Sequence, residues 1–475
     1  MARIAFVQNI AFEYLGVMYL SSVLKKKGHA VELFIVTGNE ELVIRDLVRF
    51  APDIVGFSCT TGIHVWALEF AARLKESMPC RVVLGGPHPT YFPDIIQEAH
   101  VDIICRGEGE GPLLDIADKI DRGEDLTGTL NCWFKTDAGI IKNEVRPLIE
   151  DLDTVPFPDR DMYYKYPFMR LLSTNFIGGR GCPFDCSFCF NHAFKELYRG
   201  KGKMVRYRSV DNLIAEMKEV TEKYGLKTLR LTDDTFILDK KWVEEFALKY
   251  KKQIGLPFFC TIRADLADEN IIKRLSDAGC RTVGFGVESG TEVYRNTLLN
   301  KKITDEELKK TAALLKKYGI KFRTYNMLGL PGETVAEAFK TVTLNIELGT
   351  DYPWCSLFQP FPGTALARYA LEKGFIAGSG ENTISPSYFK DSPIRSEHNT
   401  EIANLHKFFI YAVKFPRLFP VIKKLIRLKP NFLFNLAFLI SYAWVVLKAE
   451  SRTIREVMIM GRRNIWSMFF STKKR

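Results

Sequence analysis

The sequence predicts an α/β protein in which a doubly wound, five-stranded parallel sheet is followed by a partial (β/α)6 barrel and a helical C-terminal region. Short apolar runs alternate with amphipathic stretches in the first 120 residues and again after residue 171, as in parallel strands joined by crossover helices. The 475 residues, 47% of them hydrophobic, suffice for two or three domains. We predict a first domain at 1–120, a linker at 121–170, the barrel at 171–385 and a tail at 386–475.

The first domain carries the pattern of a Rossmann-like sheet. Apolar runs predict strands at 4–7, 31–35, 54–57, 82–84 and 103–105, and amphipathic stretches predict helices at 14–27, 40–50, 65–77 and 95–100. In such sheets a ligand lies at the carboxyl ends of the strands. The hydroxyl-bearing residues and glycines at those ends are Ser58, Thr60, Gly85, Gly86 and Thr90. The hydroxyls offer hydrogen bonds, and the glycines let a bulky ligand approach the backbone.

Three cysteines lie close together in the segment GCPFDCSFCFNH, residues 181–192. The C-x3-C-x2-C pattern, with Phe188 just before its last member, is formed by Cys182, Cys186 and Cys189. Three thiolates can hold three irons of a [4Fe–4S] cluster and leave the fourth iron open. A structural zinc site is the alternative, because His192 could supply a fourth ligand. The glycine-rich turn between a predicted strand at 172–177 and the cysteines favours the cluster.

The barrel is predicted from βα units that begin with the strand before the cysteines. Further strands are predicted at 228–231, 258–262, 283–287, 322–327 and 356–358, with helices at 213–224, 242–250, 269–278, 306–317 and 335–348. Active groups of TIM-type barrels collect at the carboxyl ends of the strands. The candidate residues at those ends are Asp233, Asp234, Arg263, Glu288, Ser289, Gly329, Gly332 and Glu333. Each turn alone is compatible with an ordinary loop, but their order on successive strands predicts one shared site.

The cysteine motif and these turns resemble the cobalamin-dependent family of radical S-adenosylmethionine (SAM) enzymes, in which a cobalamin-binding domain precedes the radical SAM core. In the first domain the resemblance rests on residues 14–20, 85–90 and 107–110. The D-x-H-x-x-G motif, whose histidine binds cobalt from below in the wider cobalamin-binding fold, is absent from the sequence. The resemblance therefore implies a cobalamin whose lower axial position is not filled by a motif histidine.

The resemblance also assigns roles to the candidate residues. The acidic pair after the second barrel strand would hold the amino group of SAM. The Glu-Ser pair after the fourth strand would contact the ribose and carboxylate of SAM, and the glycine-rich turn after the fifth strand would contact the adenine. Arg263 would pair with the SAM carboxylate or with Asp265. The implied cofactor-binding residues are Ser58, Thr60, Gly85, Gly86 and Thr90 for cobalamin, and Phe188, Asp233, Asp234, Arg263, Glu288, Ser289, Gly329, Gly332 and Glu333 for the cluster and SAM.

The activity implied by the resemblance is cleavage of SAM to a 5′-deoxyadenosyl radical, which abstracts hydrogen from an unactivated carbon. The first hypothesis is a methyltransferase acting on a small-molecule or lipid-like substrate, with an external electron donor such as flavodoxin or ferredoxin. A second is a cyclase or rearrangement enzyme resembling the anaerobic magnesium-protoporphyrin ester cyclase. A third, of a different class, is a non-enzymatic cobalamin or metal carrier.

The tail is basic and apolar. Between residues 402 and 475 there are fifteen Lys or Arg and two Glu, a balance of +13, whereas the whole chain carries +11. The apolar run at 431–447 is shorter than the about 20 residues of a spanning helix, so it would lie in the membrane interface or form a lid on the barrel. Nucleic-acid binding is not expected, because no recognition motif accompanies the charge.

The expected location is the cytoplasm, with peripheral contact at the inner face of the membrane as the open alternative for the tail. The N-terminus lacks the pattern of a signal peptide. The ten cysteines are scattered and do not form the framework of a disulfide-rich protein. A reducing compartment also suits an oxygen-sensitive cluster.

Overall fold

The computed structural model describes residues 1–170, 175–378 and 391–449 and the single positions 384, 389 and 458. These residues form two compact units, each built around a parallel sheet. The first unit contains residues 1–170 and 193–204, and the second contains the described residues of 175–192 and 205–458.

The sheet of the first unit has seven strands. They are β1 (Arg3–Gln8), β2 (Ala30–Ile35), β3 (Ile54–Ser58), β4 (Arg81–Gly85), β5 (Ile103–Cys105), β6 (Cys132–Thr136) and β7 (Gly139–Lys142), in the order β2-β1-β3-β4-β5-β6-β7. The first five are parallel, which confirms the doubly wound sheet. The predicted number of strands is too low, because the segment predicted as a linker adds the antiparallel hairpin β6–β7. Strand β7 is mostly exposed, so it lacks the apolar run of a buried strand.

Helices cover the sheet of the first unit. They are α1 (Leu15–Lys26), α2 (Glu40–Phe50), α3 (Ile63–Ser77), α4 (Pro87–Tyr91), α5 (Glu110–Arg122), α6 (Asp161–Tyr164) and α7 (Pro167–Arg170), while α8 (Asn191–Leu197) follows the cysteine loop. The prediction of a helix at 95–100 is wrong. The chain there forms the short 3-10 helix Pro93–Gln97, which a proline begins because its fixed φ suits the first helical position.

The sheet of the second unit has six parallel strands. They are β8 (Asn175–Phe176), β11 (Leu229–Leu231), β12 (Phe258–Ile262), β13 (Cys280–Glu288), β14 (Lys321–Leu328) and β15 (Tyr352–Leu357). Consecutive strands of this set are neighbours in the sheet, which confirms the partial (β/α)6 barrel. A separate antiparallel pair is formed by β9 (Gly179–Arg180) and β10 (Arg206–Tyr207). Residues 172–174 of the first predicted barrel strand lie outside the described residues.

Five helices connect these strands, and a sixth follows the last one. They are α9 (Val210–Tyr224), α10 (Lys240–Gln253), α11 (Glu269–Ala278), α12 (Asp305–Lys317), α13 (Val335–Leu348) and α14 (Ala365–Glu372). Helices α12 and α13 both begin with a capping box, formed by Thr304 with Glu307 and by Thr334 with Glu337. The last barrel strand begins four residues earlier than predicted, and its side chains alternate between half-buried and buried.

Three helices form the described part of the tail. They are α15 (Asn399–Lys414), α16 (Phe419–Leu425) and α17 (Phe432–Ala449). Helix α15 packs on β14, β15 and α13, with Leu405 and Phe409 buried in that core. By length and a mean hydropathy of 1.8, α17 could cross a membrane, but a third of it is buried in the protein. The basic residues predicted at 452–475 lie outside the described residues.

Candidate active site

The cysteine loop follows β9 near the carboxyl end of the second sheet. Ser187, in the middle of the loop, fixes it to the rest of the unit. Its backbone N–H donates to the carbonyl of Leu299 at 3.0 Å, its hydroxyl donates to that of Leu298 at 2.6 Å, and its own carbonyl accepts from the N–H of Leu366 at 2.8 Å. Phe188, predicted to contact a cofactor, is half-buried in an apolar cluster that includes Leu330. The loop is therefore held by backbone bonds and by packing.

Each of the three thiols has a nearby N–H donor. The N–H of Asn191 lies 3.5 Å from Sγ of Cys189, and Nη1 of Arg263 lies 3.7 Å from Sγ of Cys186. A hydrogen bond from a backbone N–H in the loop partly offsets the burial that raises the pKa of Cys182. Burial also raises the pKa of Cys189 to about 11. The N–H donors stabilise thiolates, which are the form that binds iron.

The residues present fit a three-thiolate cluster better than a zinc ion. Within the described ranges, no three His, Cys, Asp or Glu side chains converge closely enough to hold one metal ion. Nδ1 of His192, the suggested fourth zinc ligand, lies 2.6 Å from the carbonyl oxygen of Cys189. A four-iron cluster is wider than one ion and spreads its thiolates further apart. The donor set is thus suited to a [4Fe–4S] cluster with one open iron.

The two aspartates after β11 differ in their surroundings. Asp233 is buried, and its carboxylate accepts from the N–H of Gly179 at 2.6 Å and of Gly178 at 3.1 Å. Burial raises the pKa of Asp233 to about 7 despite these bonds. The Asp234 side chain remains accessible to solvent. The surrounding protein reduces its solvation and raises its pKa, and a hydrogen bond from Asn191 partly offsets this effect. Asp233 therefore fixes the chain before the cysteines, and Asp234 lies beside them.

Arg263 follows β12 and pairs with Asp265 in this structure. Its Nε and Nη2 donate to the two carboxylate oxygens at 3.0 and 3.2 Å, and Nη2 also donates to the carbonyl of Lys301 at 2.7 Å. Of the two partners considered from the sequence, the structure brings together Arg263 and the aspartate. The guanidinium also stacks on Phe184 of the cysteine loop, with its carbon 3.5 Å from the ring centroid.

The end of β13 combines a left-handed residue with a buried ion pair. Glu288 has φ of 63° and accepts from Nζ of Lys301 at 2.6 Å. Both side chains are buried, so each needs the other to offset the loss of water. Ser289 is also buried, and its hydroxyl accepts from the N–H of Thr291 at 3.2 Å. Glu288 thus lies where it was predicted, whereas the Ser289 hydroxyl takes part in the local turn.

The turn after β14 is organised by a buried glutamate. Oε2 of Glu333 accepts from the N–H of Gly329 at 2.6 Å and of Leu330 at 3.2 Å. Gly329 and Gly332 have φ of 77° and 78°, which glycine adopts without strain. Burial raises the pKa of Glu333 to about 8, and its Oε1 has no hydrogen-bond partner among the described residues. Glu333 therefore supports the turn from inside the protein.

The predicted cobalamin residues lie at the ends of β3 and β4 in the first unit. A Cβ at Gly85 would meet nothing within 4 Å, whereas one at Gly86, where φ is 88°, would lie 3.0 Å from Oγ of Ser58. The carbonyl of Thr60 accepts from the first turn of α3. The hydroxyl of Thr90 donates to the carbonyl of Gly86 at 2.7 Å. Gly85 therefore offers the open surface that a bulky ligand needs, while Gly86 and Thr90 shape the turn.

The histidines of the first unit contact other protein groups. The rings of His64 and His88 stack with centroids 3.7 Å apart, and both are buried. Nδ1 of His88 lies 3.1 Å from the hydroxyl of Thr61. Nε2 of His29 lies 2.9 Å from the carboxylate of Asp118. That the lower axial position of the cobalamin is not filled by a motif histidine stays a prediction.

Some residues that shape the two sites were missed in the sequence. Lys301, the partner of Glu288, lies in a polar turn with no distinguishing pattern. The hydroxyl of Tyr198 accepts from the N–H of Glu108 at 2.9 Å, and a Cβ at Gly107 would come within 1.9 Å of it. That glycine therefore permits the close approach of a tyrosine. Gly107 itself is visible in the sequence, but its partner Tyr198 lies ninety-one positions away and cannot be deduced from the sequence.

The folds and the three-thiol loop define an α/β enzyme that carries a metal cluster, and comparison with known proteins identifies its family. Residues 11–117 match the profile of the B12 binding domain, and residues 176–344 match that of the Radical SAM superfamily. The "uncharacterized methyltransferase PH0819" of Pyrococcus horikoshii is 30% identical over 380 residues, which cover 76% of this chain and 79% of that protein. The chain belongs to the cobalamin-dependent radical SAM family.

Two further proteins place the chain within this family. The anaerobic magnesium-protoporphyrin IX monomethyl ester cyclase of Rubrivivax gelatinosus is 27% identical over 417 residues, covering 83% of this chain and 73% of the cyclase. The radical SAM methyltransferase TsrM of Kitasatospora setae, solved with cobalamin and a [4Fe–4S] cluster, has the same fold, with a TM-score of 0.66, 19% identity and coverage of 80% of each chain. The expected cofactors, a [4Fe–4S] cluster, SAM and cobalamin, are confirmed by the family.

Proposed function

We propose that this protein is a cobalamin-dependent radical SAM methyltransferase acting on an unactivated carbon of a small-molecule or lipid-like substrate. The observation that carries the proposal is the three-cysteine loop, with its N–H donors, in a chain that also has a B12 binding domain. Three ligands leave one iron for SAM. The relative in Pyrococcus horikoshii is named a methyltransferase, which supports methyl transfer as the type of reaction.

When bound, the cluster and SAM supply an organic radical and cobalamin supplies a methyl group, so the chain's own residues provide binding and orientation. Asp234 presents a carboxylate to solvent beside the cysteines, where it complements the ammonium group of SAM. Asp233 fixes the turn before the cysteines through Gly178 and Gly179. Glu333 fixes the glycine-rich turn after β14 through Gly329 and Leu330, and this turn would contact the adenine.

The test of this proposal follows the methyl group. The full chain is reconstituted anaerobically with iron, sulfide and hydroxocobalamin, and is incubated with a reductant, a cell extract and SAM carrying a deuterated methyl group. We expect 5′-deoxyadenosine and an extract component that gains the labelled methyl group, both detected by mass spectrometry. Formation of 5′-deoxyadenosine with no labelled component at any extract concentration would contradict methyl transfer.

The second candidate function is a cyclase or rearrangement, favoured by the 27% identity to the magnesium-protoporphyrin ester cyclase. A cyclase also needs the cluster and SAM, but its product contains no carbon from the SAM methyl group. The same incubation therefore distinguishes the two, since a product that lacks the label indicates the cyclase. The third hypothesis, a non-enzymatic carrier, disagrees with membership of an enzyme family that uses SAM.

The partners of this enzyme follow from its chemistry and its tail. The cluster needs one electron per SAM cleavage, so we propose that a reduced protein such as flavodoxin or ferredoxin donates this electron in the cytoplasm.

We also propose that the tail contacts an anionic membrane surface, because residues 402–449 contain eight Lys or Arg and no acidic residue. The large apolar residues exposed in this stretch are Phe415, Leu418, Val421, Leu428, Phe432, Leu433, Leu436 and Ile440.

Other large apolar residues of α17 are shielded from solvent. Phe438 is buried, and Trp444 and Leu447 are half-buried. The Trp444 ring lies against Tyr352 of β15, with centroids 6.2 Å apart. The inner face of α17 therefore packs on α15 and on the first residues of β15, and the exposed apolar residues at its beginning are the ones available to a membrane. A lid over the candidate site stays a prediction.

A further inference from the structure

Arg263 contacts the cysteine loop at two points. The residue is 7% exposed. Its Nη1 lies 3.7 Å from Sγ of Cys186, within hydrogen-bonding distance for sulfur, and its guanidinium carbon lies 3.5 Å from the centroid of the Phe184 ring. Both contacts are made to residues 182–186, the segment that begins and ends with the first two cysteines. A permanent positive charge is therefore held against a predicted cluster ligand.

The orientation of this guanidinium is set by groups outside the loop. Asp265 accepts from Nε at 3.0 Å and from Nη2 at 3.2 Å, which is a bidentate pairing. The carbonyl of Lys301 accepts a further bond from Nη2 at 2.7 Å. With Nε and Nη2 fixed in this way, the planar group directs Nη1 at Cys186. The N–H to sulfur contact follows from this arrangement and does not depend on a flexible side chain.

The other two thiols receive their donors from the backbone. The N–H of Asn191 lies 3.5 Å from Sγ of Cys189, and the backbone N–H of Phe184 donates a hydrogen bond to Cys182. A side-chain substitution leaves such donors in place. Among these three donors, Arg263 is the one whose contribution an experiment can remove.

We propose that Arg263 is a positioning residue that raises the reduction potential of the [4Fe–4S] cluster through its hydrogen bond to Cys186. Reduction adds an electron to the cluster and its thiolates, so a donor on sulfur stabilises the reduced form more than the oxidised form. The inference rests on the cluster of the family and not on the proposed methyl transfer.

The test measures the potential directly, on the full chain reconstituted anaerobically and without SAM. In Arg263→Gln we expect about four irons per chain, as in the wild type. The equilibrium constant for one-electron reduction should fall about tenfold, a shift of about 59 mV to lower potential. Electron paramagnetic resonance of the reduced cluster during a redox titration gives this value. Arg281→Gln is the control, because it removes the same charge from an exposed residue at the opposite end of the neighbouring strand and should leave the potential unchanged.

Arg263→Lys is the second variant, since it keeps the charge but not the planar fork. We expect its potential to lie between those of the wild type and Arg263→Gln. If Arg263→Gln contains its cluster and the reduction potential is unchanged, the proposal is overturned. If that variant also binds SAM more weakly, Arg263 contributes to SAM binding and not to the potential. Should Arg263→Gln fail to assemble its cluster, a wild-type potential in Arg263→Lys would overturn it. Failure of methyl transfer changes none of these measurements.

Discussion

Burial determines the chemistry of Glu333 more than its residue type does. Its pKa is raised to about 8, far above the value of about 4.3 of a glutamate in water. The folded protein therefore binds a proton that the unfolded chain releases near pH 4. The contribution of Glu333 to stability is therefore complete below that pH and is lost as the pH rises from about 4 to about 8. Asp233, whose pKa is raised to about 7, adds a change of the same sign.

We predict that Glu333→Gln removes part of this pH dependence. Glutamine resembles the protonated side chain and can still accept from the N–H of Gly329 and Leu330. Relative to the wild type, the variant should gain stability as the pH rises from 5 to 8, by at most about 1.4 kcal/mol per pH unit. Thermal denaturation at several pH values measures the difference. A constant difference between the two proteins at all pH values would show that Glu333 is ionised in the folded state.

Gly85 and Gly86 are adjacent, but their substitution should have different effects. The space above Gly85 is open, so Gly85→Val should leave the fold intact and reduce cobalamin binding about tenfold or more by occupying the ligand's place. Gly86→Ala should instead destabilise the turn by about 1 kcal/mol or more, because φ is 88° and the new Cβ would press on Ser58. Cobalamin absorbance of the purified protein and its melting temperature separate the two effects. Normal cobalamin binding by Gly85→Val would place the ligand elsewhere.

At the scale of single elements, the cysteine loop shows what sequence can and cannot specify. Its three thiols were predicted, since their spacing is itself the signal. Its supports, Ser187 bonded to Leu298 and the guanidinium of Arg263 on Phe184, depend on which loops meet in the folded unit. That information is not encoded locally, because hydrogen-bond partners far apart in the chain carry no shared pattern.

Alanine at Cys182, Cys186 and Cys189 should abolish both iron binding and SAM cleavage. The wild type should bind about four irons and four sulfides, and the triple variant close to none, because no other ligand replaces three thiolates. Cys80→Ala is the control, since this half-buried cysteine belongs to the first unit and is not predicted to bind iron. Iron analysis and detection of 5′-deoxyadenosine provide the measurements. SAM cleavage by the triple variant would contradict the cluster assignment.

The regular elements were predicted best where buried and exposed faces alternate clearly. Strand β12 and helices α11 and α13 have the predicted bounds, because apolar periodicity and flanking glycine or threonine coincide there. Strand β7 was missed because an exposed edge strand needs few apolar residues. Strand β6, whose first three residues are buried, was missed because its apolar run is short. The helix predicted at 95–100 is wrong because its apolar pair, Ile95 and Ile96, belongs to a 3-10 helix that begins at Pro93 and ends at Gln97.

At the scale of the whole molecule, the composition of the tail indicates a surface for interaction with a partner. Exposed apolar side chains on soluble proteins are usually scattered, whereas this stretch holds eight within 26 residues, interspersed with basic side chains. A second copy of the chain is a poor partner for this surface, because the like charges would repel. An anionic bilayer provides both an apolar phase and the opposite charge, at about 1 kcal/mol for each basic residue near its surface.

Flotation of the full chain with lipid vesicles tests this contact. We expect binding to vesicles of phosphatidylcholine with phosphatidylserine, and about tenfold weaker binding to phosphatidylcholine alone or at high salt, which screens charges beyond a few ångströms. Replacing Phe432, Leu433 and Ile440 by serine should weaken binding further by removing the apolar contact. Serine at Leu42 and Val48, exposed apolar residues of the first unit, is the control. Equal flotation of the two variants, or no binding to anionic vesicles, would leave the tail as a lid on the barrel, since α17 already packs on α15 through Phe438 and His406.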